Sequence, residues 1–289
     1  MAVSQSTVQI LTERHEAQKQ APFRHDQPMI GPPDCSWASI RRPRLRACPL
    51  PHSFIWREKL GYGLDGTVWK VEVNGRPYAL KVFWDHKPPG GTRYWAFQRE
   101  CQISALLQTI RAAVENSAEP VYLKKEPKTW KDAVRNLYSF SNEGRLKPKM
   151  RDAANSISLT TSSFPRIREC YGWLTISGAE LSGLGPKLWP TGVVLDRVKR
   201  QMSPYEEYFA ILYEFIPPQD DTNAAVDIRR AMQAQIDLFW RAGLCMTIKR
   251  SENWKQGILL DMADLVSPWH VEWNRFLYDG YAADFCDGF

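Results

Sequence analysis

Residues 60–81, LGYGLDGTVWKVEVNGRPYALK, constrain the fold of this chain more than any other stretch. Gly61, Gly63 and Gly66 stand in G-x-G-x-x-G register. A dinucleotide-binding fingerprint would lead from these glycines into a helix, but here they lead into VWKVEV, which alternates apolar and polar residues as a strand does. Asn74-Gly75 is then a favoured two-residue turn into another strand. The pattern predicts consecutive antiparallel strands joined by a glycine-rich hairpin.

Lys81 ends an A-x-K pattern in the last of these strands, and Glu100 follows in a segment with helical spacing, YWAFQRECQISALLQTI. A glycine hairpin, a strand lysine and a glutamate on the next helix resemble the nucleotide-clamping lobe of protein kinases. The resemblance implies that Lys81 contacts the α- and β-phosphates of ATP and that Glu100 holds the lysine in place. The residues that it implies for nucleotide binding here are Gly61, Gly63, Gly66, Val68, Ala79, Lys81 and Glu100.

Composition excludes several classes of protein. The chain has 289 residues, of which 44% are apolar, and this is ordinary for a globular protein with one two-lobed domain or two small ones. Six cysteines occur without C-x-x-C spacing, so neither a disulfide framework nor a zinc site is expected. No apolar run of membrane-spanning length and no signal-peptide block is present, so an intracellular, non-membrane protein is expected. A net charge of +6 permits nucleic-acid contact but also describes ordinary domains.

Three regions are expected along the chain. Residues 1–50 are predicted to be a disordered basic N-terminal segment apart from a short possible helix over residues 8–20, because they are polar and rich in Pro and Arg. Its arginine cluster is either a nuclear-import or acidic-surface contact, or simply a linker. Residues 51–216 are predicted to form a kinase-like small lobe, and residues 217–289 an abbreviated large lobe.

The small lobe contains a polar insertion, residues 116–163, in which one helix is predicted from Thr129 as its cap through Tyr138. A partner-binding role is a hypothesis for this insertion. Strands are predicted over residues 164–176 and in YFAILYEF, which ends at the expected hinge. In kinases the hinge backbone binds adenine, so Glu214 and Ile216 are candidate contacts. A buried strand that ends at a proline is the alternative.

The catalytic base expected of a kinase is missing. The helix predicted in AAVDIRRAMQAQIDLFWRAGLC ends at Gly243, and the chain then reads CMTIKRSENW where an active kinase has H-R-D-L-K-x-E-N. This alignment puts Ile248 in the place of the aspartate, and an isoleucine cannot accept a proton. Asn253 and Asp261 occupy the places of the two metal ligands, so Mg²⁺ would be held there.

The end of the chain offers a rival register for the metal ligands. HVEWNRFLYDGYAADFCDGF reads as a strand, an Asp279-Gly280 turn and a second strand. In this register Asn274 and Asp284 would be the metal ligands, and His270 would lie near the position of the base. Both registers lack the catalytic aspartate.

A closer resemblance covers residues 243–270, which read G-L…N-W-x-x-G-x-L-x-D…S-P-W-H. With the glycine loop and A-L-K-V-F strand, this segment is similar to the fungal Fta-two family of kinetochore subunits of the Sim-four complex. The chain departs from the pattern of that family at Ile248 and at Met262-Ala263. The resemblance implies a nuclear, kinetochore or centromere location and kinetochore subunits as protein partners.

The predicted fold is α+β and protein-kinase-like, with a five-stranded antiparallel small lobe and an abbreviated, mainly helical large lobe. The predicted function is that of a pseudokinase, a binding or scaffold subunit with residual binding of ATP and Mg²⁺ and no catalytic residue. The alternative is an atypical phosphotransferase that uses another acid, such as Glu252. A third hypothesis, a nucleic-acid-binding module, rests on charge alone.

Overall fold

A computed structural model of the chain describes residues 5–51, 53–147, 155–195, 198–218 and 225–280. The helices in the described residues are α1 (Gln5–Gln20), α2 (Trp37–Arg41), α3 (Ala96–Glu115), α4 (Trp130–Ser139), α5 (Asn142–Arg145), α6 (Gly178–Ser182) and α7 (Ala225–Arg241). The strands are β1 (Arg24–Pro28), β2 (Leu45–Ala47), β3 (Ile55–Tyr62), β4 (Gly66–Val73), β5 (Arg76–Phe83), β6 (Val121–Lys124), β7 (Ser156–Leu159), β8 (Cys170–Ser177), β9 (Val193–Leu195), β10 (Val198–Arg200), β11 (Glu207–Glu214), β12 (Cys245–Met246), β13 (Trp254–Lys255), β14 (Ile258–Leu259) and β15 (Leu265–Val266).

The chain forms two compact units. The first consists of Met1–Ile30, Leu45–Cys101 and Glu169–Ile216, and the second of Gly31–Arg44, Gln102–Arg168 and Pro217–Phe289. The division falls within α3, after its sixth residue. The insertion predicted over residues 116–163 belongs to the second unit.

The first unit is built on a seven-stranded mixed sheet in the order β1-β2-β8-β11-β5-β4-β3. The run from β8 to β3 is antiparallel, whereas β1 pairs with β2 and β2 with β8 in parallel. The predicted α+β class is confirmed. The prediction of a five-stranded antiparallel sheet is corrected, because two short strands from the N-terminal segment extend the sheet beyond β8.

The predicted hairpins are present in the first unit. β3 and β4 flank the glycine loop, and β4 and β5 are joined at Asn74 and Gly75, whose φ angles are 50° and 75°. Two consecutive left-handed residues are the type I′ geometry for which Asn-Gly is preferred, since it matches the twist of the flanking strands. The dipeptide therefore specified both the turn and the strand register.

One face of the sheet buries the apolar core of the first unit. Trp69 and Val71 of β4 and Leu80 of β5 are fully buried in it. The chain that follows β8 packs against this face, because the indole of Trp69 donates to the carbonyl of Leu188 (2.8 Å). The alternate residues of each strand point to the opposite face.

The N-terminal segment, predicted to be disordered, carries α1, β1, α2 and β2 in the described residues. Backbone hydrogen bonds connect the parts of this segment. The amide of Leu45 donates to the carbonyl of Phe23 (3.0 Å), and the amide of Met29 donates to the carbonyl of Ala47 (2.8 Å). The polar composition of the segment predicts disorder, but its few apolar and cationic residues are placed where the first unit can bury them.

The second unit contains the predicted helix at Thr129. The Thr129 side chain accepts from the amide of Asp132 (3.1 Å), and the Asp132 carboxylate accepts from the amide of Thr129 (3.1 Å). This capping box starts α4 at the predicted residue, which is confirmed. The buried Asn136 of α4 then bonds both backbone groups of Lys124 (2.8 and 3.2 Å), which joins α4 to β6.

Helix α7 ends as predicted at Gly243, where φ is +86°. The amide of Gly243 donates to the carbonyl of Trp240 (2.9 Å), and that of Leu244 to the carbonyl of Phe239 (2.8 Å), which is a Schellman motif. The buried Gln235 of α7 donates to the carbonyl of Gly257, in the turn between β13 and β14. That turn packs closely on α7, since a Cβ on Gly257 would lie 2.7 Å from Ala231.

No helix within the described residues is long and apolar enough to cross a membrane. The five cysteines that the structure describes are buried free thiols.

Candidate functional site

Three of the residues predicted to bind nucleotide lie on one face of the sheet. Val68 and Lys81 are cross-strand partners of β4 and β5. Their strand neighbours Trp69 and Leu80 lie in the core on the other face. Because side chains alternate along a strand, Val68, Ala79 and Lys81 share the face opposite that core.

Lys81 and Glu100 meet, as the kinase resemblance implies. The Lys81 ammonium donates to Glu100 Oε1, and the Tyr213 hydroxyl donates to Glu100 Oε2 (2.8 Å). Glu100 is fully buried and Lys81 is 7% exposed. A buried carboxylate is costly unless both oxygens are satisfied, and here an ammonium and a phenol satisfy them.

Tyr213 was not among the residues predicted from the sequence. It lies in β11, whose register with β5 sets Tyr213 opposite Ala79. The period-two pattern of YFAILYE places Tyr213 on one face with Phe209 and Ile211. That pattern was available in the sequence, but the approach of Tyr213 to Glu100 depends on the sheet order.

The three glycines of the hairpin differ in what surrounds them. A Cβ on Gly61 or Gly63 would meet nothing within 4 Å. A Cβ on Gly66 would collide with the backbone carbonyl of Val82 in the neighbouring strand. Gly66 is therefore required by strand packing, whereas Gly61 and Gly63 leave open space at the surface of the hairpin.

The tip of the hairpin is held by its own neighbours. The amide of Gly63 donates to the carbonyl of Gly66 (2.9 Å), and the indole of Trp84 donates to the carbonyl of Gly63 (3.0 Å). The Tyr94 hydroxyl donates to the Asp65 carboxylate (3.0 Å). The tip thus carries an acidic side chain, and one amide that a phosphate would need is already engaged.

The predicted hinge residues lie at the end of β11. The amide of Glu214 donates to the carbonyl of Glu169 (2.9 Å), and its carboxylate accepts from the Glu169 amide (3.3 Å). Ile216 is 3% exposed. Their adenine contacts stay a prediction.

In the second unit, the acid beside Asn253 is Asp264. The Asn253 amide donates to Asp264 Oδ2 (2.6 Å), and Asp264 is 3% exposed. Asp261, the predicted ligand, instead accepts from the amide of Ala263 (3.0 Å) and caps the 3₁₀ turn Met262–Asp264. This tight turn carries the chain on to Asp264, directly before β15. The metal-ligand role of Asp261 stays a prediction.

The position expected for a catalytic base lies just after β12. Thr247 is bonded to the carbonyl of Asp264 through its amide (2.7 Å) and its hydroxyl (3.0 Å), and Ile248 is half-buried. No Asp or Glu occurs between Ala242 and Arg250. Glu252 is exposed in the 3₁₀ turn Ser251–Asn253.

The rival register is not supported by the described part of the chain. Residues 269–279 form turns, where a strand was predicted. Asn274 Oδ1 accepts from the amide of Phe276 (2.8 Å), and His270 Nδ1 accepts from the amide of Glu272 (3.2 Å). Asp284, the other ligand in that register, lies outside the described residues.

The chemistry of Asn253 and Asp264 fits Mg²⁺. A carboxylate and an amide carbonyl are hard oxygen donors, and Mg²⁺ is commonly held by few protein ligands together with water. Within the described ranges, no group of three or more His, Cys, Asp and Glu is placed to hold a metal.

Of three comparisons with known proteins, one finds a match. The family model described as Kinetochore Sim4 complex subunit FTA2 matches residues 31–266. The searches of curated proteins and of solved structures find no match. Because the family match spans well over half of the chain and includes both the Lys81 strand and the Asp264 turn, the chain belongs to the FTA2 family of Sim4 kinetochore complex subunits.

Proposed function

We propose that this chain is a non-catalytic kinetochore subunit of the nucleus that binds other kinetochore proteins, and that its first unit is a kinase-like lobe. The family match supports the kinetochore role, and the observation that carries the kinase-like lobe is the buried Lys81–Glu100 pair. A lysine on a strand that follows a glycine hairpin, paired with a glutamate on the next helix, is the arrangement that protein kinases use to hold ATP phosphates.

The absence of phosphotransfer is proposed from the chemistry after β12. Transfer to a hydroxyl requires a carboxylate that accepts or orients the hydroxyl proton. Ile248 occupies the aligned position, and the nearby Thr247 hydroxyl donates to a backbone carbonyl. Glu252, the acid of the alternative phosphotransferase hypothesis, is exposed on the 3₁₀ turn Ser251–Asn253.

Residual nucleotide binding is part of the proposal. In the first unit, Lys81 would contact a phosphate, and the open space at Gly61 and Gly63 would admit one. The backbone at Glu214 and Ile216 would contact adenine. The negative charge of Asp65 at the hairpin tip would repel the phosphates of ATP, so we expect weak affinity for ATP.

A magnesium ion is proposed to bind in the second unit, at Asn253 and Asp264. If held there, Mg²⁺ would supply positive charge. Asp264 supplies a buried carboxylate for the cation, and Asn253 orients that carboxylate through its amide. Asp261 stays a further candidate ligand.

Thermal unfolding with ATP, with and without Mg²⁺, tests the nucleotide proposal. We expect ATP to raise the Tm of the wild type and to have no effect on Lys81→Ala. Lys59→Ala is the matched control, because Lys59 is a half-buried lysine of β3 that bonds Thr191 (3.1 Å). An equal response of all three proteins, or none in the wild type, would remove nucleotide binding from the proposal.

A separate experiment tests the kinetochore role. A fluorescent fusion of the full chain, expressed in its own cells, should coincide with a centromere marker, and so should the Lys81→Ala variant if scaffolding needs no nucleotide. A diffuse fusion of the wild type would contradict the role. Transfer of labelled phosphate that is lost in Asp264→Asn would contradict the non-catalytic assignment.

A further inference from the structure

The end of α1 is anchored to the loop that leads into α3. Lys19 is 4% exposed, although it is a lysine. Its ammonium donates to Glu16 Oε1 (3.0 Å) and to the carbonyls of Pro89 (2.5 Å) and Gly91 (2.7 Å). An ammonium has three donors, and each has an oxygen here, so the charge is buried with full compensation.

The first turn of α3 is bonded to the same end of α1. The side-chain amide of Gln98 donates to the carbonyls of Gln18 (3.0 Å), Lys19 (3.2 Å) and Ala21 (3.0 Å). The last carbonyls of a helix lack partners within it, and Gln98, itself 3% exposed, supplies a donor to them. Displacing α3 would break the bonds from Gln98 to these carbonyls.

The chain after α1 packs on the other residues at the start of α3. The Phe23 ring lies 5.0 Å from that of Trp95 and 5.4 Å from that of Phe97. Phe97 in turn stacks on Phe209 of β11 at 4.4 Å, and the Arg24 guanidinium lies 4.6 Å from the Phe209 ring. Aromatic stacking and cation–π contacts therefore link the N-terminal segment, α3 and the sheet.

Residues 16–28, which we call the N-terminal clamp, contact α3 at positions 97 and 98, within one turn of Glu100. We infer that the N-terminal clamp holds the start of α3 so that Glu100 stays on Lys81 with no nucleotide or partner bound. Lys19 and Gln98 are positioning residues in this scheme. The inference does not require that the chain binds ATP.

Chemical labelling tests the inference in the full chain without nucleotide. Lys19→Met and Gln98→Met keep side-chain length but remove the donors. Glu13→Gln is the control on the same helix, because Glu13 is exposed and bonds Gln9 (3.0 Å). The readouts are acylation of the Lys81 amine and alkylation of Cys101, the fully buried thiol next to Glu100, both measured by peptide mass spectrometry.

Lys81 and Cys101 should be labelled at least about tenfold faster in the two clamp variants than in the control. The reason is that the Lys19 ammonium and the Gln98 amide each make several buried hydrogen bonds, and losing them shifts a local opening equilibrium by roughly that factor. Arg24→Lys, a milder change, should give a smaller increase at the same two positions. Cys245, a buried thiol of the second unit, should be unaffected.

Equal labelling in the clamp variants and Glu13→Gln would overturn the inference. An equal increase at Cys245 would also overturn it, because residues 16–28 would then stabilise the whole chain and would not specifically position α3. A lost ATP response in the thermal assay leaves the outcome of this labelling unchanged, so the two proposals fail separately.

Discussion

Removing the Glu100 carboxylate should be among the most destabilising single changes in this protein. Glu100 is 0% exposed and Lys81 is 7% exposed, so neither charge is solvated when its partner is lost. Breaking a buried ion pair from one side costs about 3 to 5 kcal/mol of unfolding free energy. We expect Glu100→Leu and Lys81→Met each to fall in this range.

The double variant Lys81→Met/Glu100→Leu should be far more stable than the sum of the single variants predicts. Replacing both charges by apolar groups of similar volume removes the ion pair as a whole and costs only the bond from the Tyr213 hydroxyl, so its unfolding free energy should lie within about 2 kcal/mol of wild type. Urea unfolding followed by tryptophan fluorescence measures all four proteins, and equal m values would show that the same surface is exposed in each.

The exposed pair Arg57–Glu72 of the same sheet is the matched control (2.7 Å). Its removal should change stability far less, because water solvates the remaining charge. The reasoning is refuted if Glu100→Leu costs less than about 1 kcal/mol, the value of an exposed pair, or if the two single effects simply add in the double variant.

Three further changes test individual parts of the fold. Burial raises the pKa of Asp132, but bonds from Lys124 and the α4 cap outweigh it and lower the pKa from 3.8 to about 2. Since the folded pKa is depressed, this carboxylate stabilises the protein above about pH 4 and loses that effect as pH falls towards 2. Asp132→Asn should therefore cost about 1 kcal/mol of unfolding free energy at pH 7. The acid unfolding curves of the wild type and of Asp132→Asn should converge near pH 2. Gly66→Ala should cost about 2 kcal/mol or more and Gly61→Ala less than about 1, because only the first collides with a neighbouring strand; equal urea midpoints would contradict this. Gly257→Ala should cost at least about 1 kcal/mol, because φ is +72° there and the added methyl would meet α7; an unchanged thermal midpoint would show that α7 can move to admit it.

Local patterns predicted most of the framework. Strand alternation, the Asn74-Gly75 turn, the Thr129 cap and the Gly243 stop each depend on residues within one helical turn or hairpin, so they can be recognised without a tertiary structure. The β8 strand begins at Cys170, six residues after the predicted start. The bounds of a strand depend on the strand that it pairs with. β8 pairs with β11, and this pairing cannot be recognised from the local sequence of β8.

The identity of the aspartate beside Asn253 shows where local patterns stop being informative. Asp261 and Asp264 are both acidic residues at the end of an apolar run, and the sequence alone favoured the first. The 3₁₀ turn between them and the pairing of β12 with β15 bring Asp264 to Asn253. Three residues of difference in a tight turn are decided by tertiary packing.

By itself, the sequence determined the glycine hairpin, the lysine and glutamate that pair behind it, and the absence of a carboxylate at the base position, because these follow from residue identity and short-range geometry. Only the tertiary structure showed that Tyr213 completes the Glu100 site and that residues 16–28 contact the start of α3. The physical reason is that both depend on contacts between segments far apart in the chain. The polar N-terminal segment has little core of its own, and Lys19 and Phe23 become buried only when the folded first unit supplies acceptors and aromatic partners.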